Sequence, residues 1–199
     1  MSACLKWAAL AGLLLLSACQ WLRGAPPPLP LIAPAALGQQ WQLTQRVTFE
    51  STERTGQPQA MLAAWSVENG VMNVVGLTAT GQTLMSLRYD GEQFTANYSP
   101  LLPEALPGRD ILALIEMTYW PRAAVQNALL GSDWTLHNTA DGRQLRLGNR
   151  AAVDIQITPI NTDKQDGMAT ENITITHHLL QLRLHIVTLQ KVTLQKATP

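Results

Sequence analysis

The sequence has little cysteine and no excess of either charge. Its two cysteines, Cys4 and Cys19, both lie within the first nineteen residues, so residues 20–199 contain no thiol. For that part of the chain this excludes thiol catalysis, CxxC redox chemistry and a cysteine-ligated zinc or iron–sulfur site. Fourteen basic residues balance fourteen acidic ones, and no basic stripe occurs. We therefore expect no nucleic-acid partner.

Recognisable catalytic motifs are also missing. The sequence has no Gly-x-Ser-x-Gly elbow, no His-Glu-x-x-His pair and no phosphate loop, and no pair of carboxylates stands out. His177 and His178 are adjacent on a predicted strand and so point to opposite faces, while His185 falls on the polar face of the next strand. We interpret all three as surface histidines. The sequence predicts a protein that is not an enzyme and that uses no metal and no cofactor.

The first nineteen residues have the layout of a bacterial lipoprotein signal. Lys6 supplies a positive charge, residues 7–16 are apolar, and Ser17 and Ala18 are the small residues that a signal peptidase requires before its cut. The stretch Leu16-Ser17-Ala18-Cys19 resembles the lipobox, whose cysteine is acylated and becomes the N-terminus after cleavage. We predict a signal peptide at residues 1–18 and lipidation of Cys19. The alternative is a chance apolar N-terminus that ends in a cysteine.

The resemblance to the lipobox implies that the protein is held at a membrane, because two or more acyl chains give stable anchoring. Residue 20 is Gln rather than Asp. Lipoproteins of this type without Asp there are usually sorted to the outer membrane, on its periplasmic face. Residues 19–38 are rich in Pro and Ala and show no periodicity. They are predicted to form either a stalk, on the order of 50 Å long at ~3.1 Å per residue, or a disordered leader.

Alternating apolar and polar residues predict strands from residue 39 onward. Five strands between Trp41 and Tyr98 are separated by turn sequences, which favours an antiparallel meander. Apolar residues spaced by three and four predict a helix over residues 111–118, and Pro121 starts a second that ends at Gly131. Strands resume from Trp134 to Ile186. We predict a mainly β fold in one domain, residues 39–190: a half-open, strongly curved antiparallel β-barrel of about ten strands, with the helical pair as a lid.

Two further segments are assigned by their patterns. Val187–Lys191 is repeated as Val192–Lys196, and a five-residue repeat reverses the face to which each residue of a regular strand points. Residues 191–199 are therefore predicted to be a tail. The polar stretch from Asn161 to Gly167 is predicted to be a loop.

Several stretches resemble the central part of LolB, the outer-membrane receptor that takes lipoproteins from the periplasmic carrier LolA. These are Leu77–Leu84 with the strand after it, Trp120-Pro121 and Leu129-Leu130-Gly131. The chain is more similar to LolB-like lipoproteins of unknown function found beside aryl polyene synthesis genes, through Leu87–Gly91 and Ser99–Pro103. The similarity covers residues 41–186. It implies an apolar cavity for acyl chains, and a LolA-like carrier as a candidate partner.

One difference from LolB concerns a turn. Thr80 stands where LolB carries a protruding leucine that helps to place lipoproteins in the membrane. Burying a leucine in lipid is worth roughly 1.5 to 3 kcal/mol, and threonine supplies little of that. The resemblance therefore implies hydrophobe binding but not LolB's insertion activity.

Methionine and aromatic side chains are candidates for the cavity lining, because thioethers and rings adapt to variable chains. Ordinary core packing is the alternative for each of them. The predicted lining comprises Met61, Trp65, Val67, Val75, Leu77, Met85, Leu87, Leu114, Met117 and Trp120. We expect a lipid-anchored periplasmic module that binds or transfers a hydrophobic ligand: an acyl chain, a lipoprotein or an aryl polyene lipid. The alternative is a structural or assembly lipoprotein with a filled interior that holds a protein partner.

Overall fold

The computed structural model describes residues 26–53, 57–102, 107–159 and 171–194. The predicted signal peptide, Cys19 and the segment from Asn161 to Gly167 lie outside these ranges. Within them, no helix combines the length and the apolar character needed to cross a membrane.

Ten strands form one antiparallel sheet in the order β5-β4-β3-β2-β1-β10-β9-β8-β7-β6. Their bounds are β1 Gln40–Ser51, β2 Gln59–Glu68, β3 Val71–Leu77, β4 Thr83–Tyr89, β5 Phe94–Tyr98, β6 Trp134–Thr139, β7 Gly142–Leu147, β8 Arg150–Pro159, β9 Glu171–His177 and β10 Leu182–Leu194. β5 and β6 are the edge strands, so the sheet is strongly curved but not closed. The predicted fold, a half-open barrel of ten strands with two helices, is confirmed.

Two helices pack against the concave face of the sheet: α1 is Gly108–Tyr119 and α2 is Arg122–Leu129. The side of α1 that meets the core carries Leu112, Ala113 and Met117, all of them fully buried. Pro121 immediately precedes α2, where the fixed φ of proline suits a helix start and its missing N–H costs nothing. Trp120 has an extended backbone between the two helices, which lets the chain reverse direction.

The two ends of the curved sheet can be identified by the strand termini that lie at each of them. Antiparallel pairing brings the termini at Ser51, Tyr98, Trp134 and His177 to one end, beside the β9–β10 turn; we call this the Leu180 end. The opposite end, where β1 begins, is called the Trp41 end. α1 starts at the Leu180 end, where the N–H of Gly108 donates to Tyr98 Oη at 2.9 Å. It finishes at the Trp41 end, and α2 then runs back to the start of β6.

Residues 26–37, which we call the strap, pack against the domain. This described part of the predicted linker is therefore neither a stalk nor a disordered leader. Leu29, Ile32 and Leu37 are buried in the common core, and residues 34–37 form a short 3-10 helix. The composition of the segment hid this role because the prolines disrupt any periodicity. Three apolar side chains placed between them are enough to fix the strap on the domain.

The strap runs from the Leu180 end toward the Trp41 end. Near its start, Trp134 Nε1 donates to the carbonyl oxygen of Pro27 at 3.2 Å. Further along, Trp120 Nε1 donates to the carbonyl oxygen of Ala33 at 3.2 Å. Since Trp134 begins β6 and Trp120 follows α1, these two bonds mark opposite ends of the domain. The strap thus crosses the helical layer before β1 begins.

The repeated pentapeptide continues β10 instead of leaving the sheet, so the predicted tail is wrong for residues 191–194. The pairing of β10 with β1 shifts by one residue at Leu189, which is a β-bulge. Thr188 therefore pairs with Gln45 and Thr193 pairs with Trp41, two residues of the same face. The bulge compensates for the odd length of the repeat, so that equivalent threonines face the same side. Residues 195–199 lie outside the described part.

Candidate functional site

A cavity of about 360 Å³ lies between the concave face of the sheet and α1. Its wall comes from both halves of the sheet, from α1 and from the segments that flank it. The lining residues are Gln45, Val47, Phe49, Met61, Ala63, Trp65, Val74, Met85, Leu102, Pro107, Ile111, Leu114, Ile115, Thr118, Tyr119, Ile175, Leu180, Leu182, Leu184 and Ile186. None of these carries a charged, histidine or cysteine side chain. The wall is therefore suited to an uncharged, apolar ligand.

Strand and helix periodicities explain why these residues meet. Alternate residues of β1, including Val47 and Phe49, point to the concave side, as every second residue of a strand does. In α1, Ile111, Leu114 and Ile115 lie on the side that faces the cavity, as expected for a spacing of three and four. One side of the helix thus covers the cavity while the other packs into the core.

A hydrogen-bonded cluster around the buried Gln45 forms the polar part of the wall. The amide Nε2 of Gln45 donates to Tyr119 Oη at 2.6 Å and to Thr188 Oγ1 at 3.0 Å. Its Oε1 accepts from Trp65 Nε1 at 2.9 Å. Both N–H groups of the amide are therefore used within the protein. The cluster is stabilised without a ligand, and it leaves no free amide hydrogen for a charged headgroup.

Tyr119 closes the wall toward the Trp41 end. Its ring lies 5.0 Å from the ring of Trp65 and packs edge-on against Trp41 at 6.3 Å, measured between centroids. Burial raises the pKa of Tyr119 to about 12, although the hydrogen bond from Gln45 acts in the opposite direction. The hydroxyl therefore stays neutral at physiological pH. The ring and its neighbours form an uncharged floor of the cavity.

Solvent reaches the cavity at the Leu180 end. Leu180 lines the cavity and is 42% exposed, and Pro107, just before α1, both lines it and is exposed. Trp65 and Met85, deeper in the wall, are each 2% exposed. The cavity is thus deep at Trp65 and accessible at Leu180.

Of the ten residues predicted from the sequence to line a cavity, the structure brings four to this wall: Met61, Trp65, Met85 and Leu114. Four others lie in the packed core away from it: Val67, Leu87, Met117 and Trp120, each at most 2% exposed. Met117 lies on the side of α1 that faces the core, and Trp120, just after α1, contacts the strap. Val67 lies near the end of β2, beyond the floor of the cavity.

The remaining two, Val75 and Leu77, are on the other face of β3, which corrects the predicted orientation of this strand. The inward residues of β3 are Met72, Val74 and Gly76, all buried, whereas Val75 and Leu77 are half-buried. Apolar residues occupy both faces of β3, so alternation alone did not identify the inner one.

Much of the second half of the wall was not predicted, although the sequence held a signal for it. Leu182, Leu184 and Ile186 alternate along β10, opposite Phe49 and Val47 of β1. The parity of β1 also places Gln45 inward with its apolar neighbours. A polar residue at an inward position interrupts the pattern, which is why Gln45 was overlooked.

Gly76 allows two methionines to pack over β3. A Cβ atom at this position would lie 3.0 Å from Met61 Cε and 3.0 Å from Met85 Cγ. Those distances are tighter than ordinary van der Waals contact. Both methionines line the cavity. The absence of a side chain at Gly76 therefore helps to set the space available there.

A fully buried carboxyl lies on the core side of α1. Glu116 Oε2 accepts a 2.7 Å hydrogen bond from the N–H of Ile32 in the strap. Burial raises the pKa of Glu116 to about 8, while the Ile32 N–H and the charge of Arg109 act to lower it. Glu116 is therefore largely protonated at neutral pH. It joins the strap to the helix that covers the cavity.

The histidines differ from the predicted surface positions in one case. His177 is buried, because it continues the inward alternation of Ile173 and Ile175 along β9. Burial, with the neighbouring His178 second, lowers the pKa of His177 to about 4. His178 and His185 are exposed, and His178 Nε2 lies 2.7 Å from Asp154 Oδ2. Among the described residues, no three metal-ligating side chains come together.

Thr80 lies in the exposed turn between β3 and β4, at the Leu180 end. Its hydroxyl is 2.9 Å from that of Thr78, and Thr78 Oγ1 also accepts from the N–H of Gln82 at 3.0 Å. The turn therefore presents hydrogen-bonded hydroxyls to solvent.

A comparison with protein families gives one match. The model for DUF3261, described as a protein of unknown function, covers residues 42–190, which is more than half of the chain. A search of curated proteins found no match.

Proposed function

The chain belongs to the DUF3261 family, whose description assigns no function, and we propose that it is a lipid-anchored periplasmic module. In this proposal the protein binds or transfers a hydrophobic ligand at the outer membrane. The anchor is the acylated Cys19, a proposal that rests on the lipobox-like stretch before it. The ligand is an apolar chain: that of a lipid, a lipoprotein or an aryl polyene lipid. A LolA-like periplasmic carrier is the proposed partner in transfer.

The observation that carries the proposal is the cavity beneath α1, whose described lining residues carry no charge. Its volume of about 360 Å³ falls within the range of small-molecule sites, which is roughly 300–1,000 Å³. Each methylene group moved from water into such a site contributes about 0.8 kcal/mol. The cavity also reaches solvent at the Leu180 end, so that a chain can enter. These features support a ligand-binding interior.

The competing reading is a structural or assembly lipoprotein with a filled interior that holds a protein partner. Such a protein would be expected to pack its concave face as densely as an ordinary core, with few voids larger than a water molecule. The cavity between Trp65 and Ile111 favours ligand binding over this alternative.

Two valines of similar burial provide a matched test. Val47 is half-buried on the cavity wall, and Val75 is half-buried on the opposite face of the sheet. We expect the wild-type protein to bind a fluorescent fatty acid saturably. Val47→Phe should weaken that binding, because the ring takes up cavity volume. Val75→Phe should bind like the wild type.

Circular dichroism and thermal melts of all three proteins check that each is folded. Saturable binding that is weakened only by Val47→Phe supports the proposal. If the folded wild type shows no saturable binding, the cavity is not the binding site. The same conclusion follows if both variants bind the fatty acid as tightly as the wild type does. The structural or assembly reading would then replace the proposal.

A further inference from the structure

Exposed apolar side chains are concentrated at the Leu180 end. Among the described residues, five large apolar side chains are notably exposed: Tyr98, Leu101, Leu130, Leu180 and Val192. Tyr98 ends β5, and Leu101 follows three residues later. Leu130 follows α2, next to the start of β6, and Leu180 lies in the β9–β10 turn. Only Val192 belongs to the Trp41 end. We call the other four the apolar rim.

The significance of the apolar rim lies in the grouping of its members and not in the exposure of any single one. Leu130 is 78% exposed and Leu101 is 63% exposed. Single exposed leucines are common on soluble proteins. Four large apolar groups at one end of a domain, around the side where its cavity meets solvent, instead indicate a contact surface.

The described part of the chain also begins at this end, and the predicted anchor precedes it in the sequence. Pro26, the first described residue, lines a small cleft together with Leu179 and Leu180. Cys19 is seven residues before Pro26. We call the stretch between them the tether, and a fully extended chain of seven residues spans at most about 25 Å. β1, which runs from the Trp41 end to the Leu180 end, has twelve residues and is roughly 36 Å long at ~3.3 Å per residue. This tether is too short to bring the Trp41 end against a membrane that holds Cys19.

We propose that the apolar rim docks on the lipid surface that holds the anchor, with the cavity mouth facing that surface. The inference rests on the proposed function, and it adds the orientation in which that function is carried out. Three features favour a bilayer as the occupant of the rim: the short tether, the exposed leucines and the apolar cavity behind them. An acyl chain can then pass between the bilayer and the cavity without crossing bulk water.

The orientation can be measured with single cysteines in the lipidated full-length protein. Leu101→Cys, Leu130→Cys and Leu180→Cys each place a thiol on the rim, and Val192→Cys is the matched control, an exposed apolar position at the Trp41 end. Each variant is labelled with a polarity-sensitive fluorophore. It is then reconstituted into phosphatidylethanolamine and phosphatidylglycerol vesicles, with or without doxyl-labelled lipid.

We expect the three rim labels to emit several-fold more strongly with vesicles and to be quenched by doxyl lipid, while the label at residue 192 does neither. Equal quenching at all four positions, or none at the rim, would overturn the proposed orientation. Dye uptake by the wild type without an added cysteine would mean that Cys19 is free and would overturn the anchored geometry.

A parallel fatty-acid titration of the unlabelled wild-type protein separates this proposal from the proposed function, because a label at Leu180 would occupy the mouth of the cavity. Rim quenching without saturable binding supports membrane docking and overturns the ligand-binding function. Saturable binding without rim quenching supports the function and overturns the docking.

Discussion

The backbone N–H of Ile32 donates a 2.7 Å hydrogen bond to Oε2 of Glu116, joining the strap to a fully buried carboxyl of α1. The other oxygen, Oε1, has no hydrogen-bond partner among the described residues. A buried carboxyl in this position is less costly when protonated than when charged. The attachment of the strap is therefore coupled to pH.

We predict that the contribution of Glu116 to the free energy of unfolding falls as pH rises from 4.5 to 8, and that Glu116→Gln removes this loss. The ordinary pKa is 4.5 and the folded pKa is about 8. Within this window the unfolded chain has released the proton and the folded protein retains it, so higher pH favours unfolding by up to about 1.4 kcal/mol per pH unit. A glutamine oxygen can still accept the bond from Ile32.

Urea unfolding over a pH series checks this prediction. Glu116→Gln should be more stable than the wild type at pH 8, and the difference should shrink toward pH 4.5. Parallel curves for the two proteins across this range would show that Glu116 does not titrate as described.

His177 should have the opposite dependence on the acid side. Its ordinary pKa is 6.5 and its folded pKa is about 4, chiefly because of burial. Between these values the unfolded chain binds a proton that the folded protein does not, so the contribution of His177 to stability falls as pH decreases from 6.5 to 4. His177→Asn should remove this contribution and change the slope of the curve between pH 4 and 6.5, because asparagine does not titrate and its oxygen can replace Nδ1 as acceptor for the Leu180 N–H.

The exposed His185 is the matched control for this experiment. His185→Asn should keep the acid-side slope of the wild type. If His177→Asn also keeps it, the buried histidine is not the source of acid sensitivity.

Gly76→Ala is predicted to weaken ligand binding without unfolding the protein. The new Cβ presses on Met61 Cε and on Met85 Cγ and Cε, so both side chains must shift by a few tenths of an ångström toward the cavity. Titration with a fluorescent fatty acid should show a higher dissociation constant, while the far-ultraviolet circular dichroism stays that of the wild type. Unchanged affinity would mean that ligand does not contact these two methionines.

Cys19 is predicted to be the lipidation site. Cells grown with labelled palmitate should incorporate it into the wild-type protein and not into Cys19→Ser. Cys4→Ser serves as the control and should be labelled like the wild type, because Cys4 lies within the predicted signal peptide. A wild type that takes up no label would remove the basis for the anchor.

Regular alternation made the strands predictable, and irregular local features limited the prediction of the site. Leu43, Val47 and Phe49 alternate with polar neighbours, so the inner face of β1 followed from the pattern. β3 has apolar residues on both faces, and Val75 was placed on the wrong one. Nothing local to the sequence places the wall residues Leu182 and Leu184 opposite β1, since that pairing joins distant parts of the chain.

The strap and the bulge show why the ends of the domain were harder to predict. Leu29 and Ile32 lie among prolines, where no helical or strand period can be recognised, yet their burial fixes the strap on the core. The bulge at Leu189 realigns β10 with β1 and keeps residues 191–194 in the sheet. A single extra residue in one strand leaves no signal that a regular period would reveal.

A crystal structure of the protein with a brominated fatty acid would show where the ligand binds. We expect anomalous bromine density inside the cavity, between Trp65 and Ile111, with the hydrocarbon chain directed toward Leu180. An interior filled by side chains, with no bromine density beneath α1, would contradict it.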